Sequence, residues 1–382
     1  MATMLALFNS VTTQFNFGKY RDKLNVDNGA LKLHYRVTAP LLFASSIVVT
    51  AQQFIGDRIA CIQSAGAIPD NVLNTYCYFV GTTTWNNNTS DFPHRGIGPE
   101  RDDVMSIRHL YYQWVSYYLF FLSLLFFSAH FLWKSFEKHR LAQITAGFEC
   151  VKFAVLKEKQ VGNIPSIVQR EEKIDKLTQI LWSRIRNDMN NDWTLKLIAV
   201  EMYAFVVVLF VFWLTDVFLG GGGNFVSMTV DSAFRTFPTE TSCIFYKYGP
   251  SGSIQKHDAL CILATNIVNV YIFLFFYPWM LILIIIGALA LLWRLVGVFA
   301  YRSDWFNRIT PFNHINSLVD EDARRTVFKT LNYFDWVFLN YVAENVDGST
   351  YRDVFLNLAT TIKEDRRDEL NDEEKPFASD HD

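Results

Sequence analysis

Four long apolar runs constrain the fold of this 382-residue chain more than any other feature of its sequence. A helix needs about 20 apolar residues, at about 1.5 Å of rise per residue, to cross a hydrocarbon core of about 30 Å. The runs are 37–56, 109–133, 197–219 and 259–293, and only the third contains acidic or basic residues, Glu201 and Asp216. Four such runs in one chain favour membrane spans over the buried core helices of a soluble protein.

The fourth run is longer than a bilayer requires, and the fourth span is therefore predicted at 263–293. A helix of that length is either tilted in the membrane or continues outside it. The sequence leaves both alternatives open.

Basic residues indicate which side of the membrane each connecting segment faces. The segment 134–196 has twelve lysine and arginine residues and the segment after 293 has eleven, whereas the loops 57–108 and 220–262 have four and three. Cytoplasmic segments carry the excess of basic residues. We therefore predict a plasma-membrane protein with both termini and 134–196 in the cytoplasm and both loops outside.

The cytoplasmic segments have apolar residues at helical spacing, which predicts helical domains at 134–196 and 294–363. Residues 1–36 precede the first span, and the acidic end 364–382 is predicted to be a disordered tail. The predicted fold is an all-α membrane protein with four transmembrane helices per subunit and a cytoplasmic helical domain. Its extracellular loops are predicted to contain short strands and a helix and to be bridged by disulfides.

Cysteine usage agrees with this orientation. Cys61, Cys77, Cys243 and Cys261 lie in the two outside loops, whereas Cys150 lies in the predicted cytoplasmic segment. An even number of cysteines in an oxidising compartment indicates disulfides. Four cysteines allow three pairings, and their spacing does not choose among them.

The first outside loop also contains two overlapping glycosylation sequons, at Asn87 and Asn88. A sequon occurs often by chance, so this observation adds little to the assignment of the loop to the outside.

The first 18 residues have no side-chain charge, and Met4, Phe8, Val11 and Phe15 recur at the spacing of one helix face. A membrane-surface helix usually has basic residues on its polar face, and this segment has none. An uncharged amphipathic helix suits a partly wet site such as the mouth of a pore. An ordinary surface helix or a frayed chain end is the alternative.

Polar residues at the outer end of the first span are further candidates for a water-filled path. Gln52 and Gln53 either line such a path or make hydrogen bonds between helices, because polar side chains in a span usually face away from lipid. Asp57 and Arg58 are the first two residues after this span, and they complete the set of pore-lining candidates.

Motifs for chemistry are absent from the sequence. It has no Walker loop, no H-E-x-x-H and no G-x-S-x-G, and its eight histidines are scattered. We therefore predict that the protein is not an enzyme and needs no cofactor or catalytic metal. The net charge of −3 without a dominant basic stripe gives no indication of a nucleic-acid partner.

The second span begins with a distinctive motif, formed by Tyr111, Tyr112, Gln113, Trp114 and Val115. The stretch Gln53–Asp57 leads into Cys61, and Tyr76 directly precedes Cys77. With two cysteines per outside loop and four spans, these motifs resemble the innexins, the gap-junction proteins of invertebrates. The resemblance covers about residues 1 to 300. Family members usually have proline after the motif, where this chain has Ser116, so the kink expected there is in question.

The resemblance implies a fold and a function together. Innexin subunits form a ring around an aqueous pore, and the expected number of subunits is eight. Two rings from adjoining cells dock through their outside loops. The implied disulfides join the two loops of one subunit, Cys61 with Cys261 and Cys77 with Cys243. The N-terminal segment would fold into the pore mouth. Membrane lipid and identical subunits are the expected partners, and rings that include other innexins are an alternative.

Two further functions compete with the gap-junction channel. The first is an undocked hemichannel that opens to the outside, as in pannexins. The second is a four-span adhesion or scaffold protein without a pore.

Overall fold

The computed structural model describes residues 27–64, 68–85, 96–98, 106–138, 140–149, 167–310 and 319–373. Predictions for the N-terminal helix, the sequons and the cytoplasmic thiol concern residues outside these ranges, namely Met4, Phe8, Val11, Phe15, Asn87, Asn88 and Cys150.

The described chain is mostly helical. In chain order the helices are α1 (Gly29–Phe54), α2 (Asp70–Val80), α3 (Val115–Glu137), α4 (Arg140–Glu149), α5 (Ile167–Arg186), α6 (Asn191–Phe218), α7 (Val230–Thr236), α8 (Ala264–Ala300), α9 (Asp304–Ile309), α10 (Glu321–Thr330), α11 (Tyr333–Asn345) and α12 (Gly348–Glu373). The strands are β1 (Ala60–Ile62), β2 (Thr82–Trp85), β3 (Ser106–His109), β4 (Glu240–Tyr248) and β5 (Ile254–Ile262).

Each of the four apolar runs lies largely within one long helix: α1, α3, α6 or α8. These four helices are long and apolar enough to cross a membrane. Within α1, the segment Leu33–Thr38 has π-helical hydrogen bonding. The regular α-helix resumes at Ala39, directly before Pro40, which has no backbone N–H to donate to the preceding turn.

The five strands form one antiparallel sheet in the order β1-β5-β4-β2-β3. Its centre is the hairpin of β4 and β5, which pair from Glu240↔Ile262 to Tyr248↔Ile254. The prediction that the two cysteine-containing loops hold short strands and a helix is therefore confirmed, and the strands of both loops join in one sheet. β4 has three aromatic and two β-branched residues, and its Thr241 and Cys243 are buried, as expected for a strand with one buried face.

The chain divides into two compact units. The first, called the sheet unit here, contains Gly29–Phe131 and Glu201–Ala290. Its larger core is built from the apolar faces of the long helices and from the loop before α7, and it includes Leu122, Phe126, Val208, Phe225, Phe273 and Phe276, each at most 1% exposed.

The second, called the helical unit, contains the described residues of Leu132–Val200 and Leu291–Asp382. Trp193 of α6 is buried at its centre, and its ring contacts those of Trp133, Phe338 and Tyr341 at centroid distances of 5.3 to 5.5 Å. Aromatic packing of this kind supplies much of the stabilisation of a small helical core.

Candidate functional site

Two disulfides link the loop between α1 and α3 to the loop between α6 and α8. Cys61 of β1 bonds to Cys261 of β5, its register partner, across 200 residues of sequence. Cys77, in the last turn of α2, bonds to Cys243 of β4 across 166 residues. Both bonds therefore join one loop to the other, which is the nested pairing that the family resemblance implied.

The disulfides lie inside a small core of their own. All four cysteines are at most 8% exposed, and they pack with Ile59, Leu73, Tyr112 and Leu263. Three of the sulfur atoms, those of Cys61, Cys77 and Cys261, lie within 4.8 Å of one another. Because every one of these sulfurs is already in a disulfide, none is available as a thiolate ligand for a metal.

Tyr112 fastens the beginning of α3 to this core. It belongs to the single 3-10 turn Tyr111–Gln113 that precedes α3, and its side chain is fully buried. Its hydroxyl donates to the carbonyl oxygens of Tyr78 at 3.1 Å and Cys77 at 3.5 Å. Burial raises the pKa of Tyr112 to about 12, so the hydroxyl keeps its proton and remains a donor.

Gln113 strengthens the same attachment. Its side-chain amide donates to the carbonyl oxygen of Tyr78 at 2.7 Å. The carbonyls that end α2 thus receive hydrogen bonds from two consecutive residues of the 3-10 turn, beside the Cys77–Cys243 bond.

Tyr111 makes a second attachment, to the segment that precedes α8. Its hydroxyl donates to the carbonyl oxygen of Thr236 at 2.8 Å and accepts from the Asn266 side-chain amide at 3.1 Å. Asn266 also donates to the carbonyl oxygen of Pro238 at 2.9 Å. Burial raises the pKa of Tyr111 as well. The beginnings of α3 and α8 are therefore joined through one buried hydroxyl.

The remaining two motif residues have different environments. Val115 is fully buried in the larger apolar core, whereas Trp114 is 62% exposed. The motif thus consists of three residues that fasten the turn by hydrogen bonds, one that packs in the core and one that faces outward.

Gln53 lies inside the subunit, and this placement supports the interpretation as a hydrogen bond between helices. It is 5% exposed, its amide donates to the carbonyl oxygen of Tyr112 at 3.0 Å, and its Oε1 accepts from the Ser116 hydroxyl at 3.2 Å. The Ser46 hydroxyl donates to the Ser116 carbonyl at 2.8 Å. These bonds connect α1 to α3. The side-chain nitrogen and oxygen of Gln53 are both engaged in them, whereas a residue that lines a pore would direct these atoms to water.

The other three candidates at this end of α1 are more accessible. Gln52 is half-buried and Asp57 is exposed. The Arg58 Nε donates to the carbonyl oxygen of Gln53 at 2.7 Å, and its guanidinium lies 5.4 Å from the Phe54 ring centroid. A cation at the carboxyl end of a helix interacts favourably with the unpaired carbonyls there.

Three buried polar residues of the sheet unit were not identified from the sequence. His109 is 7% exposed, and its Nε2 lies 2.7 Å from the Thr84 hydroxyl. Burial lowers the pKa of His109 to about 4, which keeps the ring neutral. Asn266 and Asn269 are fully buried in the first turns of α8. Two asparagines three residues apart at the start of an apolar run were a signal that could have pointed to this network.

This arrangement holds the ends of apolar helices against a cross-linked sheet. The Innexin family model matches residues 27–362. Innexin inx7 of Drosophila melanogaster is 33% identical over 380 residues, 94% of this chain and 85% of that protein. Innexin shaking-B of the same species is 30% identical, over 89% of this chain and 91% of that protein. Innexin inx2 of Schistocerca americana is also 30% identical, over 90% of this chain and 95% of that protein.

Proposed function

Because the chain belongs to the innexin family, whose members form gap-junction channels, we propose that it is the subunit of a ring-shaped channel that connects adjacent cells. The family match over residues 27–362 carries this proposal. Ions and small solutes would flow passively through the ring, without catalysis.

The cross-linked sheet supports a role in docking. Two disulfides between the loops restrict their motion, and a rigid surface loses less conformational entropy when it binds a partner. In our proposal both loops face the extracellular space, both termini face the cytoplasm, and a second ring on the adjoining cell binds this surface.

The pore is proposed to pass the outer end of α1. Asp57 is exposed and Gln52 is half-buried, so these two side chains are the described candidates for contact with water in the pore. The uncharged segment with Met4, Phe8, Val11 and Phe15 is proposed to line the pore mouth.

The test is electrical coupling between paired cells that express the full chain and lack other gap-junction proteins. We expect a junctional conductance, and in planar bilayers a large single-channel conductance from the purified protein. Normal surface delivery with neither conductance would contradict the proposal and favour the four-span scaffold.

The sequons at Asn87 and Asn88 favour a second candidate, the undocked hemichannel. A glycan in the first outside loop would obstruct docking. A mass shift on glycosidase treatment, together with single-cell dye uptake but no cell-to-cell transfer, would support the hemichannel. An unmodified chain with dye transfer would support the gap junction.

The ring is proposed to contain eight identical subunits, as the family resemblance implies. Projection images of the purified particle along its axis would give the subunit number and show whether two rings stack. Co-purification of a second innexin from native tissue would indicate a mixed ring.

A further inference from the structure

The end of α8 has two contrasting faces within the helical unit. On one face, a Cβ on Gly297 would lie 3.3 Å from the Tyr333 ring. Tyr333 donates its hydroxyl to the Arg294 carbonyl at 3.1 Å, and Arg294 donates to the Tyr341 hydroxyl at 3.1 Å. This face of α8 is therefore packed against α11.

The other face has exposed apolar side chains at intervals of three and four residues, as expected for one side of a helix. The following helix, α9, adds two exposed apolar residues, and we call the whole set the α8–α9 strip. Its members and their exposed fractions are Leu292 54%, Leu295 57%, Val296 40%, Phe299 82%, Trp305 69% and Ile309 52%. Exposed apolar side chains clustered in this way mark a site that is covered by a partner or by a membrane.

The apolar face of α8 that precedes the strip indicates what covers it. The 37 residues of α8 extend about 55 Å, more than the roughly 40–45 Å of a bilayer with its headgroup regions. On the same helix face, Ile285 and Leu289 are 58% exposed and precede Leu292 by seven and three residues. The strip therefore continues the apolar face of the spanning helix without a polar break.

Polar and aromatic residues near the strip match a membrane interface. In the sequence, Trp293 precedes Arg302 and Trp305 follows it. Tryptophan is enriched at the level of the lipid headgroups. Arg302 is exposed, with its guanidinium 5.2 Å from the Tyr301 ring centroid. The carboxylate of Asp304 faces Arg324 at 3.7 Å, so its negative charge is offset.

We infer that the α8–α9 strip binds the cytoplasmic leaflet of the membrane, with acyl chains against Phe299 and its apolar neighbours and an anionic headgroup beside Arg302. This requires α8 to be tilted, because a helix perpendicular to the bilayer would carry the strip into water. The inference rests on the proposed orientation of the chain in the membrane, and it does not depend on docking or on conductance.

Photo-cross-linking of the full-length protein tests this contact. Benzoylphenylalanine replaces Phe299, and the purified protein is placed in nanodiscs with equal parts of phosphatidylcholine and phosphatidylserine. The matched control is the same substitution at Leu370, an apolar residue of α12 with 56% exposure. We expect mass spectrometry to find lipid adducts at position 299 and none at 370.

The headgroup preference is tested in the same nanodiscs. Phosphatidylserine adducts are expected to outnumber phosphatidylcholine adducts at position 299. Arg302→Gln is expected to reduce that ratio by up to about fivefold, which corresponds to about 1 kcal/mol per basic residue near an anionic surface. Equal labelling of the two lipids in the Arg302 protein would overturn the role of this arginine.

Two outcomes would overturn the lipid contact itself. An adduct between position 299 and a second copy of the chain would show that the strip is an interface between subunits. Absence of any adduct would show that it faces water. Conductance is measured on the same preparations, so loss of channel function is scored separately from loss of lipid contact.

Discussion

The sheet unit and the helical unit hold their connecting segments with different chemistry. In the sheet unit, two disulfides cross-link the loops, and buried tyrosine hydroxyls donate to backbone carbonyls. The described part of the helical unit has no disulfide, and its segments are held by ring packing around Trp193 and by hydrogen bonds between side chains. The connections of the sheet unit are covalent bonds or hydrogen bonds from neutral groups. Those of the helical unit include a side chain that can gain or lose a proton.

That group is Asp335, in the first turn of α11 and 1% exposed. Its Oδ1 accepts from the Asn190 amide at 2.9 Å, and the Arg184 Nε donates to the Asn190 Oδ1 at 3.2 Å. The network ties the turn between α5 and α6 to α11. Burial raises the pKa of Asp335, and the nearby Asp188 carboxylate raises it further.

The comparison indicates a fixed part and an adjustable part of one subunit. Disulfides and tyrosines with raised pKa values do not change charge near neutral pH, so the sheet unit keeps one arrangement. A buried carboxylate changes the stability of its surroundings when it gains or loses a proton. Four sets of substitutions, given below from the largest expected effect to the smallest, test this difference.

Breaking the Cys61–Cys261 bond should have the largest effect. Removal of a native disulfide typically costs about 2–5 kcal/mol, and this one joins β1 to its register partner in β5. Cys61→Ser and Cys261→Ser are each expected to abolish junctional coupling while synthesis remains largely intact, as measured by paired-cell conductance and total protein.

The double variant should be no worse than either single variant, because both remove the same bond. Cys150→Ser, outside the two loops, is the matched control and should couple normally. Normal coupling in both loop variants would contradict a docking surface held by disulfides.

Tyr112→Phe should weaken the sheet unit without breaking a covalent bond. The substitution removes one buried hydrogen bond, about 0.5–1.5 kcal/mol, while the Tyr78 carbonyl keeps its bond from Gln113 and the Cys77 carbonyl keeps its bond from the Gly81 N–H. We expect a lower Tm for the purified protein. Tyr117→Phe, at a residue 62% exposed, should change the free energy of unfolding by less than about 0.5 kcal/mol. Equal Tm values for the two variants would show that the buried hydroxyl does not stabilise the fold.

The sequence was sufficient to predict the long helices, because each is encoded by one contiguous apolar run. It was insufficient for the sheet, because the strands pair across distant loops. Thr83 and Ser242, for example, are register partners 159 residues apart. No local pattern records that pairing, although the aromatic and β-branched residues of β4 were compatible with a strand.

The same limit applies to the candidate site. The motif at the start of α3 was recognised as distinctive, but its residues did not reveal which carbonyls they bind. Gln53 was assigned two alternative roles, and its partner Ser116 lies 63 residues away. A polar residue near the end of a span has the same sequence pattern whether it faces water or another helix.

Asp335→Asn should change the pH dependence of the helical unit. The folded-state pKa lies above that of the unfolded chain, so the folded state is penalised at pH values above it and gains stability as the pH falls through it. Asparagine keeps an acceptor for Asn190 and carries no charge. We expect hydrogen exchange of residues 333–345, corrected for intrinsic rates, to vary less with pH in the variant, from about pH 4, the value of an unfolded aspartate, upward.

Asp335→Ala provides the contrast. It removes the charge together with the acceptor, so the buried Asn190 amide loses its partner and exchange in 333–345 should be faster at every pH. A pH dependence in the asparagine variant equal to that of the unsubstituted protein would show that Asp335 is not the titrating group.

Ser116→Pro should have the smallest effect, although it introduces the residue usual in the family. Position 116 is the second residue of α3, where a proline removes no intrahelical hydrogen bond and imposes no kink. The loss is the hydroxyl that donates to Gln53, about 0.5–1.5 kcal/mol. We expect a slightly lower Tm and normal junctional conductance.

Ser123→Pro is the matched control for helix geometry. Ser123 lies in the interior of α3, is 7% exposed, and donates its hydroxyl to the Ala39 carbonyl at 2.8 Å. A proline there removes an intrahelical bond and costs about 3 kcal/mol or more, so coupling should be lost. A proline at 116 that was equally damaging would mean that α3 begins before Val115, and that the family proline bends the helix instead of starting it.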